Sequence, residues 1–305
     1  MTVAWIDKLK IPVIAAPMFL ASGPEMVIAC CRAGVVGSFP VSNARTPEQL
    51  EDWFDQIEAG LKDCPEAAPY GVNLVIGHAA TALEEVTIRR QPPLVITSIG
   101  DPRELAAVVH GWGGAIFHDV TTVRHAEKAA AAGVDGIILV CAGAGGHAGA
   151  ASPFSLTPQV RARFGGVIVL AGAITDGRAI LAARALGADL VYMGTRFLVT
   201  EESRARPAYK TMVVDALSQD IIYTPSVTGI PASFIRQSLA AVGLDPAALP
   251  PPLGLHKPNL GVEAKPWRDI WSAGQGAGLI EDIPTVEALV ERLAAEYEAA
   301  KEEFR

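Results

Sequence analysis

The segment best suited to chemistry in this 305-residue chain is Gly145-Gly146-His147-Ala148-Gly149. A histidine set among glycines has no neighbouring side chains to pack against. Glycines let the backbone approach a flat ligand, and the imidazole stays available for proton transfer near neutral pH. The plainer alternative is a histidine tied to a backbone carbonyl on a surface loop. Two more short segments, Gly172-Ala173 and Gly194-Thr195, suit a different task. Their small residues would let an anion reach backbone N–H groups, and the helix after each would add the positive end of its dipole. The His, Cys, Asp and Glu residues show no metal-ligand spacing, so no metal is expected. No GxSxG nucleophile elbow occurs either.

These segments fall at regular places among the elements that must carry them. Short apolar runs read as strands at Pro12–Ala16, Val35–Phe39, Tyr70–Val75, Leu94–Ser98, Ala115–His118, Gly136–Cys141, Val167–Ala171 and Leu190–Met193. Helical patterns lie between them, near Glu25–Ala33, Pro47–Leu61, Ala79–Arg90, Pro102–Trp112, Val123–Ala132, Pro158–Phe164 and Asp176–Leu186. At Gly34, Gly133 and Gly187 a glycine can close a helix in the left-handed conformation just before a strand. Strict alternation with short connections implies parallel strands and right-handed crossovers. Eight units imply an α/β fold of the (β/α)8 TIM-barrel type. A doubly wound open sheet is the alternative, but it would more often show GxGxxG after the first strand, which this chain lacks.

A barrel puts its active site at the C-terminal ends of the strands. Those ends carry Pro17-Met18, Asn73, His118-Asp119, the His147 loop, Gly172-Ala173 and Gly194-Thr195. The last two loops follow the final strands, where such barrels commonly hold a phosphate. One glycine-bearing loop would speak only for a tight turn; two at adjacent strands speak for phosphate binding. His118 would line the same mouth, whereas His78, His110, His125 and His256 read as surface or helix residues.

The alternation stops after Phe197. Residues 1–198 are expected to form the barrel, 199–266 a small, mostly helical lobe, and 267–305 a segment and helix returning to the barrel. Helices are expected near Ala208–Ser218, Ser233–Val242 and Val286–Phe304.

Composition agrees. Half the residues are hydrophobic, 19% are charged and only 6% are aromatic, and the mean hydropathy is +0.30. Strands buried on both faces under Ala-rich helices produce such a balance. A membrane span needs about 20 continuous apolar residues, and the longest charge-free run, Gly136–Val160, is broken by glycines and prolines. Ile11–Gly23 behind Lys8 and Lys10 loosely mimics a secretion signal, but Pro12 and Pro17 interrupt it, so a buried first strand is expected. Cys30, Cys31, Cys64 and Cys141 form no CxxC and read as free thiols of a reducing cytoplasm. A net charge of −8 without a basic, aromatic-interleaved cluster disfavours nucleic acid.

Read together, Ala15-Ala16-Pro17-Met18, Gly71-Val72-Asn73-Leu74, Gly145-Gly146-His147-Ala148-Gly149, Leu170-Ala171-Gly172-Ala173-Ile174-Thr175-Asp176-Gly177, Met193-Gly194-Thr195-Arg196-Phe197 and Ser272-Ala273-Gly274-Gln275-Gly276 resemble the nitronate monooxygenase (2-nitropropane dioxygenase) family. They stand in the family's order and cover nearly the whole chain. The resemblance implies an FMN-dependent barrel with a small extra lobe. It implies that Met18 and Asn73 flank the flavin ring and its ribityl chain, that Gly145 and Gly146 run along the cofactor, that Gly172, Ala173, Gly194 and Thr195 hold its phosphate, and that Pro17 and Met193 also belong to the cofactor-binding set. It implies that Ser272 and Gln275 close the site, and that His147 is the catalytic histidine, which removes the proton α to a nitro group or positions the nitronate. Some positions depart from the family. Gly143-Ala144 replaces an acidic residue before the loop glycines. Val140 and Tyr192 stand where many members carry glutamines, and Asp119 where some related reductases carry lysine.

The activity so implied is oxidation of alkyl nitronates, or of nitroalkanes, by O2 to carbonyl compounds and nitrite. The cofactor would carry the redox chemistry and the protein would supply position and electrostatics. Two alternatives stand beside it. One is an NAD(P)H-dependent flavin reductase of quinones or enoyl thioesters on the same scaffold. The other is a non-redox barrel that binds a sugar phosphate. Exposed apolar surface on the lobe is compatible with a homodimer.

Overall fold

In the computed structural model, which describes residues 3–77 and 81–304, the expected alternation is realised strand by strand. The strands are Val13–Ala15 (β1), Val36–Pro40 (β2), Tyr70–Val75 (β3), Leu94–Ser98 (β4), Ala115–Val120 (β5), Gly136–Val140 (β6), Gly146–His147 (β7), Val167–Ala171 (β8) and Leu190–Met193 (β9). All but β7 close into a barrel in the order β1-β2-β3-β4-β5-β6-β8-β9. β9 pairs in parallel with β1, with Ala15 opposite Met193. Period-two alternation then divides every strand between two cores. Ile14, Val36, Ile96, Phe117, Ile138, Val169 and Leu190 fill the barrel interior. Val13, Phe39, Val72, Val95, Ile116, Ile137, Ile168 and Val191 face outward and pack with the helix residues.

The helices between strands are Pro24–Arg32 (α1), Pro47–Leu61 (α2), Thr81–Arg90 (α3), Arg103–Gly111 (α4), Val123–Ala131 (α5), Pro153–Arg161 (α6), Gly177–Ala185 (α7) and Thr195–Leu198 (α8). Side-chain caps fix several starts: Thr46 accepts from the Gln49 N–H, Thr122 from His125 and Asp176 from Ala179. Gly34, Gly133 and Gly187 all have positive φ where helices were expected to end. Most boundaries fall within two residues of expectation, and the largest difference is at α6. α6 starts at Pro153, five residues before the expected Pro158. Pro153 occupies the first-turn position that suits proline, and Leu156, Thr157 and Val160 supply the buried face. Of the α3 expectation, Ala79 and Arg90 mark the ends; Ala79 lies outside the described residues, as does His78.

After the barrel come Pro207–Val214 (α9), Ile221–Thr224 (β10), Ala232–Ile235 (β11), Arg236–Ala241 (α10) and Val286–Glu303 (α11). The helix expected over Ser233–Val242 is a strand followed by a short helix. The Ser233-Phe234-Ile235 stretch has a partner in the Ile- and Tyr-bearing β10, and that pairing overrides helix propensity. β11 also pairs with β7, placing Ala232 opposite His147 and Ser233 opposite Gly146. The added lobe thus reaches back to the histidine loop through a three-stranded sheet.

Cys30, Cys31 and Cys141 are buried and Cys64 half-buried, all unpaired. Burial pushes the Cys31 and Cys141 thiols up to about 12, so they are unreactive. Among the described residues no helix is long and apolar enough to cross a membrane.

Candidate active site

A cavity of about 1220 Å³ opens at the C-terminal ends of the barrel strands. Its floor is the last inward-facing layer of the barrel: Ala16, Pro40, Asn73, Ser98, Asp119, Val140, Ala171 and Tyr192. Each follows an interior residue two positions earlier or belongs to the same alternating face. Tyr209, Ile230, Pro231, Trp267 and Ser272 contribute from beyond the barrel.

The cavity gathers most of the residues singled out from sequence. Pro17, Met18, Asn73, Gly145, Gly146, His147, Gly172, Ala173, Gly194, Thr195 and Ser272 all line it, and so does His118. Met193 and Gln275 do not. Met193 lies one residue from Tyr192 in the same strand, so it points the opposite way and packs in the helix-facing core. Gln275 is exposed; its N–H donates to the Gly143 carbonyl at 2.9 Å, and its carbonyl accepts from the Ser218 hydroxyl at 3.0 Å. His125, expected as a helix-surface residue, sits in the first turn of α5 on the cavity rim.

The histidine loop is held from both sides. The Gly149 N–H donates to the Val140 carbonyl at 3.0 Å, tying the loop to β6. From the lobe, the Tyr223 hydroxyl donates to Ala148 O at 2.8 Å, and Ser233 Oγ donates to Ala144 O at 2.8 Å. Ser272 is the junction. Its hydroxyl accepts from the Gly146 N–H at 2.7 Å and donates to the buried Ser233 carbonyl at 2.6 Å. Tyr209 donates to the Ser272 carbonyl, and the next segment is pinned where the Gly274 N–H meets Thr195 Oγ1 at 2.9 Å. Ser272→Ala therefore strands one donor and one acceptor. It should lower stability by about 1–3 kcal/mol, read as a lower denaturant midpoint with an unchanged slope.

His147 stands exposed at the mouth, edge-on to the Trp267 ring with centroids 5.2 Å apart. Its Nε2 lies 3.3 Å from Thr228 Oγ1. The Thr228 hydroxyl proton is already given to Ile230 O at 2.8 Å. Thr228 can then only accept, which places the imidazole proton on Nε2 and leaves Nδ1 as the basic nitrogen. Partial desolvation in the cleft, with His256 nearby, pushes the imidazole pKa down to about 4. The ring is therefore neutral throughout the physiological range.

Deeper in the cavity lies a polar row from three adjacent strands. Asn73 Nδ2 donates to Ser98 Oγ at 2.9 Å, and Ser98 Oγ donates to Asp119 Oδ2 at 2.6 Å. The other carboxylate oxygen, Oδ1, is buried without a hydrogen-bond partner, and so is the Tyr192 hydroxyl. Burial lifts the Asp119 carboxyl to about 7, against the opposing pull of the Ser98 hydrogen bond. Burial also raises Tyr192, with the Asp119 charge adding to it. His118 Nδ1 is 2.8 Å from Thr97 Oγ1, and burial pushes its pKa down to about 4.

Sequence reasoning placed Asp119 at a strand end without choosing it and passed over Ser98. The strand-end rule alone could have found both. Thr228 and Trp267 come from irregular chain and carry no local signal.

Known proteins resemble this chain along its whole length. It is 30% identical over 229 residues to the (3aS,4S,5R,7aS)-5-hydroxy-7a-methyl-1-oxo-octahydro-1H-indene-4-carboxyl-CoA dehydrogenase of Rhodococcus jostii, covering 75% of this chain but only 63% of that enzyme, which is less than two thirds. The solved structure of nitroalkane oxidase from Streptomyces ansochromogenes superposes with a TM-score of 0.84 at 26% identity, covering 98% of this chain and 99% of the other. The structure of FabK from Thermotoga maritima gives 0.82 at 26% identity, covering 100% and 99%. Residues 62–296 match the nitronate monooxygenase family model. The chain belongs to the nitronate monooxygenase family.

Proposed function

We propose that this protein is an FMN-dependent nitronate monooxygenase, which oxidises alkyl nitronates with O2 to carbonyl compounds and nitrite. The observation that carries the proposal is the convergence of two glycine-bearing loops and one histidine on a single large cavity. Three features fit a flavin mononucleotide. Gly172-Ala173 and Gly194-Thr195 lie side by side at the ends of β8 and β9, and α8 starts at Thr195 with no side-chain cap on its first N–H groups. The Gly145-Gly146 backbone runs along the cavity. Asp119 Oδ1 and the Tyr192 hydroxyl are buried and unpartnered in its floor, where a polar ring edge would satisfy them. FMN bound there would supply the electron transfer between nitronate and oxygen.

The chain's own residues do the rest. Gly172, Ala173, Gly194 and Thr195 would receive the phosphate through backbone N–H groups, which cost no reorganisation. Met18 and Asn73 would flank the cofactor. Neutral His147 would take the α-proton of a nitroalkane at Nδ1, or hold the nitronate in place. Trp267, Ile230 and Pro231 would shield the reacting centre from water. On this proposal residues 1–198 carry the flavin, 199–266 cover it, and 267–305 lock cover to barrel through Ser272.

The similarity to a CoA-thioester dehydrogenase, with Tyr192 and Val140 in the cavity floor, keeps a second reading in play: an NAD(P)H-dependent flavin reductase. One experiment separates them. Purified protein should be yellow and should consume O2 with ethyl nitronate or propionate-3-nitronate. Colourless protein that cannot be loaded with FMN would refute both readings. Anaerobic bleaching by NADH or NADPH, with no oxygen uptake on nitronates, would favour the reductase.

A further inference from the structure

The described cavity has two buried polar atoms that the reading above does not use in catalysis. Asp119 Oδ1 and the Tyr192 hydroxyl lack partners, and both residues line the floor. Leaving such atoms unpaired costs about 1–3 kcal/mol each, so the floor of the cavity offers an acceptor and a hydroxyl to whatever polar group, ligand or water, occupies it. The network around Asp119 has a fixed sense. Asn73 also donates to Ile96 O at 3.3 Å, which sets its amide orientation. Its donation to Ser98 leaves the Ser98 hydroxyl proton for Asp119 Oδ2. Every donor in the row therefore points toward the carboxyl, and Oδ1 alone is left for the cavity.

Resting on the FMN reading, we propose that Asp119, braced by Ser98 and Asn73, is a proton-holding contact for the flavin ring that takes up one proton as the ring takes up its electrons. The balance is simple. With a two-electron chemical reductant as the donor, the bound ring would gain negative charge, and the Asp119 carboxylate would gain one proton from solvent, an O–H bond forming at Oδ1 as one breaks in hydronium. No bond forms between Asp119 and the ring. Tyr192, three strands further round the barrel on β9 and within electrostatic reach of Asp119, is the hydrogen-bonding partner for the same ligand edge.

The surroundings allow this role. Around the carboxyl, β4 presents Ser98, β6 presents Val140 and β9 presents Tyr192 to the same floor. The adjacent His118 is neutral, bound to Thr97, with Asp101 and His125 acting on it from the rim. A carboxyl titrating near 7 is half-protonated before reduction. New negative charge beside it raises its pKa further and draws in the remaining proton. Below both values the carboxyl is protonated throughout, and above both it stays ionised, so the coupling occupies a window from about pH 7 upward.

The test is the reduction potential of the bound flavin measured against pH, with FMN affinity of the apoprotein measured in parallel. In the wild type, potential should fall more steeply with pH inside the window by one extra proton per two electrons. Asp119→Asn should abolish that extra proton while still binding FMN. Ser98→Ala removes a hydrogen bond that favours the ionised carboxyl, so it should move the window to higher pH. Tyr192→Phe should weaken FMN binding several-fold and leave the window in place. A wild-type slope in Asp119→Asn overturns the proposal. If that variant does not fold, an unmoved window in Ser98→Ala overturns it equally. Protein that binds no FMN at all refutes the cofactor assignment itself, a result distinct from flavin bound with an unchanged slope.

Discussion

Replacing His147 with alanine should reduce turnover of neutral nitroalkanes by roughly 10²–10⁴-fold, the usual worth of a positioned general base. Turnover of preformed nitronates should fall by less than about tenfold, because their α-proton is already gone. The prediction rests on geometry. Thr228 accepts a hydrogen bond from the Nε2–H, Trp267 fixes the ring edge-on, and Nδ1 is left as the basic nitrogen. It also carries a pH signature. With the imidazole pKa pushed down to about 4, the neutral, base-competent form is present above that value and is lost as pH falls through it. The kcat/KM for a nitroalkane should therefore hold from neutrality to near pH 5. A histidine with its ordinary value of about 6.5 would already be mostly protonated there. Flavin content, measured by absorbance, must match the wild type for the comparison to count. Equal losses on nitroalkane and nitronate would sink the base role. A loss beginning near pH 6.5 would show that the cleft does not hold the ring neutral.

The barrel was legible because each strand is a short, doubly buried apolar run that local signals bound at both ends. β3, β4, β8 and β9 fall where the sequence puts them, and the glycines after α1, α5 and α7 mark the turns. The site was legible to the extent that it follows from strand ends. What escaped depends on pairing between distant segments. β11 sits beside β7 across a gap of some 85 residues, as the Ala232–His147 register shows, and nothing local announces that partner. The row Asn73, Ser98, Asp119 is invisible in sequence because one βα unit separates each member from the next; only barrel register brings them together. Met193 illustrates the converse. A motif read as a string takes in every residue, but strand alternation turns Tyr192 inward and Met193 out. Parity applied to the same string would have chosen Tyr192.

Gly172→Val should leave the protein without bound FMN, or bind it at least about tenfold more weakly, which corresponds to about 1.4 kcal/mol. Gly172 follows β8 with φ of +139°, a conformation that valine resists. A Cβ placed there would lie 2.7 Å from the Ala142 carbonyl oxygen, a backbone atom whose residue is tied down by its N–H to the Ala151 carbonyl. Strain of about 1–3 kcal/mol from the backbone, and a similar amount from the clash, can be relieved only by moving the β8 turn. That turn includes Ala173, itself at φ +53°, and its amides are the ones proposed to meet the phosphate. Moving it should therefore cost both stability and cofactor. Gly194→Ala separates the two effects. Its Cβ would meet nothing closer than Ala16 Cβ at 3.7 Å and the Met18 sulfur at 3.8 Å. The fold should tolerate it with a thermal midpoint within about 2 °C of wild type, since surface-like substitutions stay within about 0.5 kcal/mol. Both Met18 and Gly194 line the cavity, however, so the added methyl occupies space beside the proposed phosphate site and FMN affinity should fall. Equilibrium titration of each apoprotein with FMN, followed by flavin fluorescence quenching, measures both variants. Wild-type affinity in Gly172→Val would remove the β8 turn from the cofactor site. Wild-type affinity in Gly194→Ala as well would move the phosphate away from both loops.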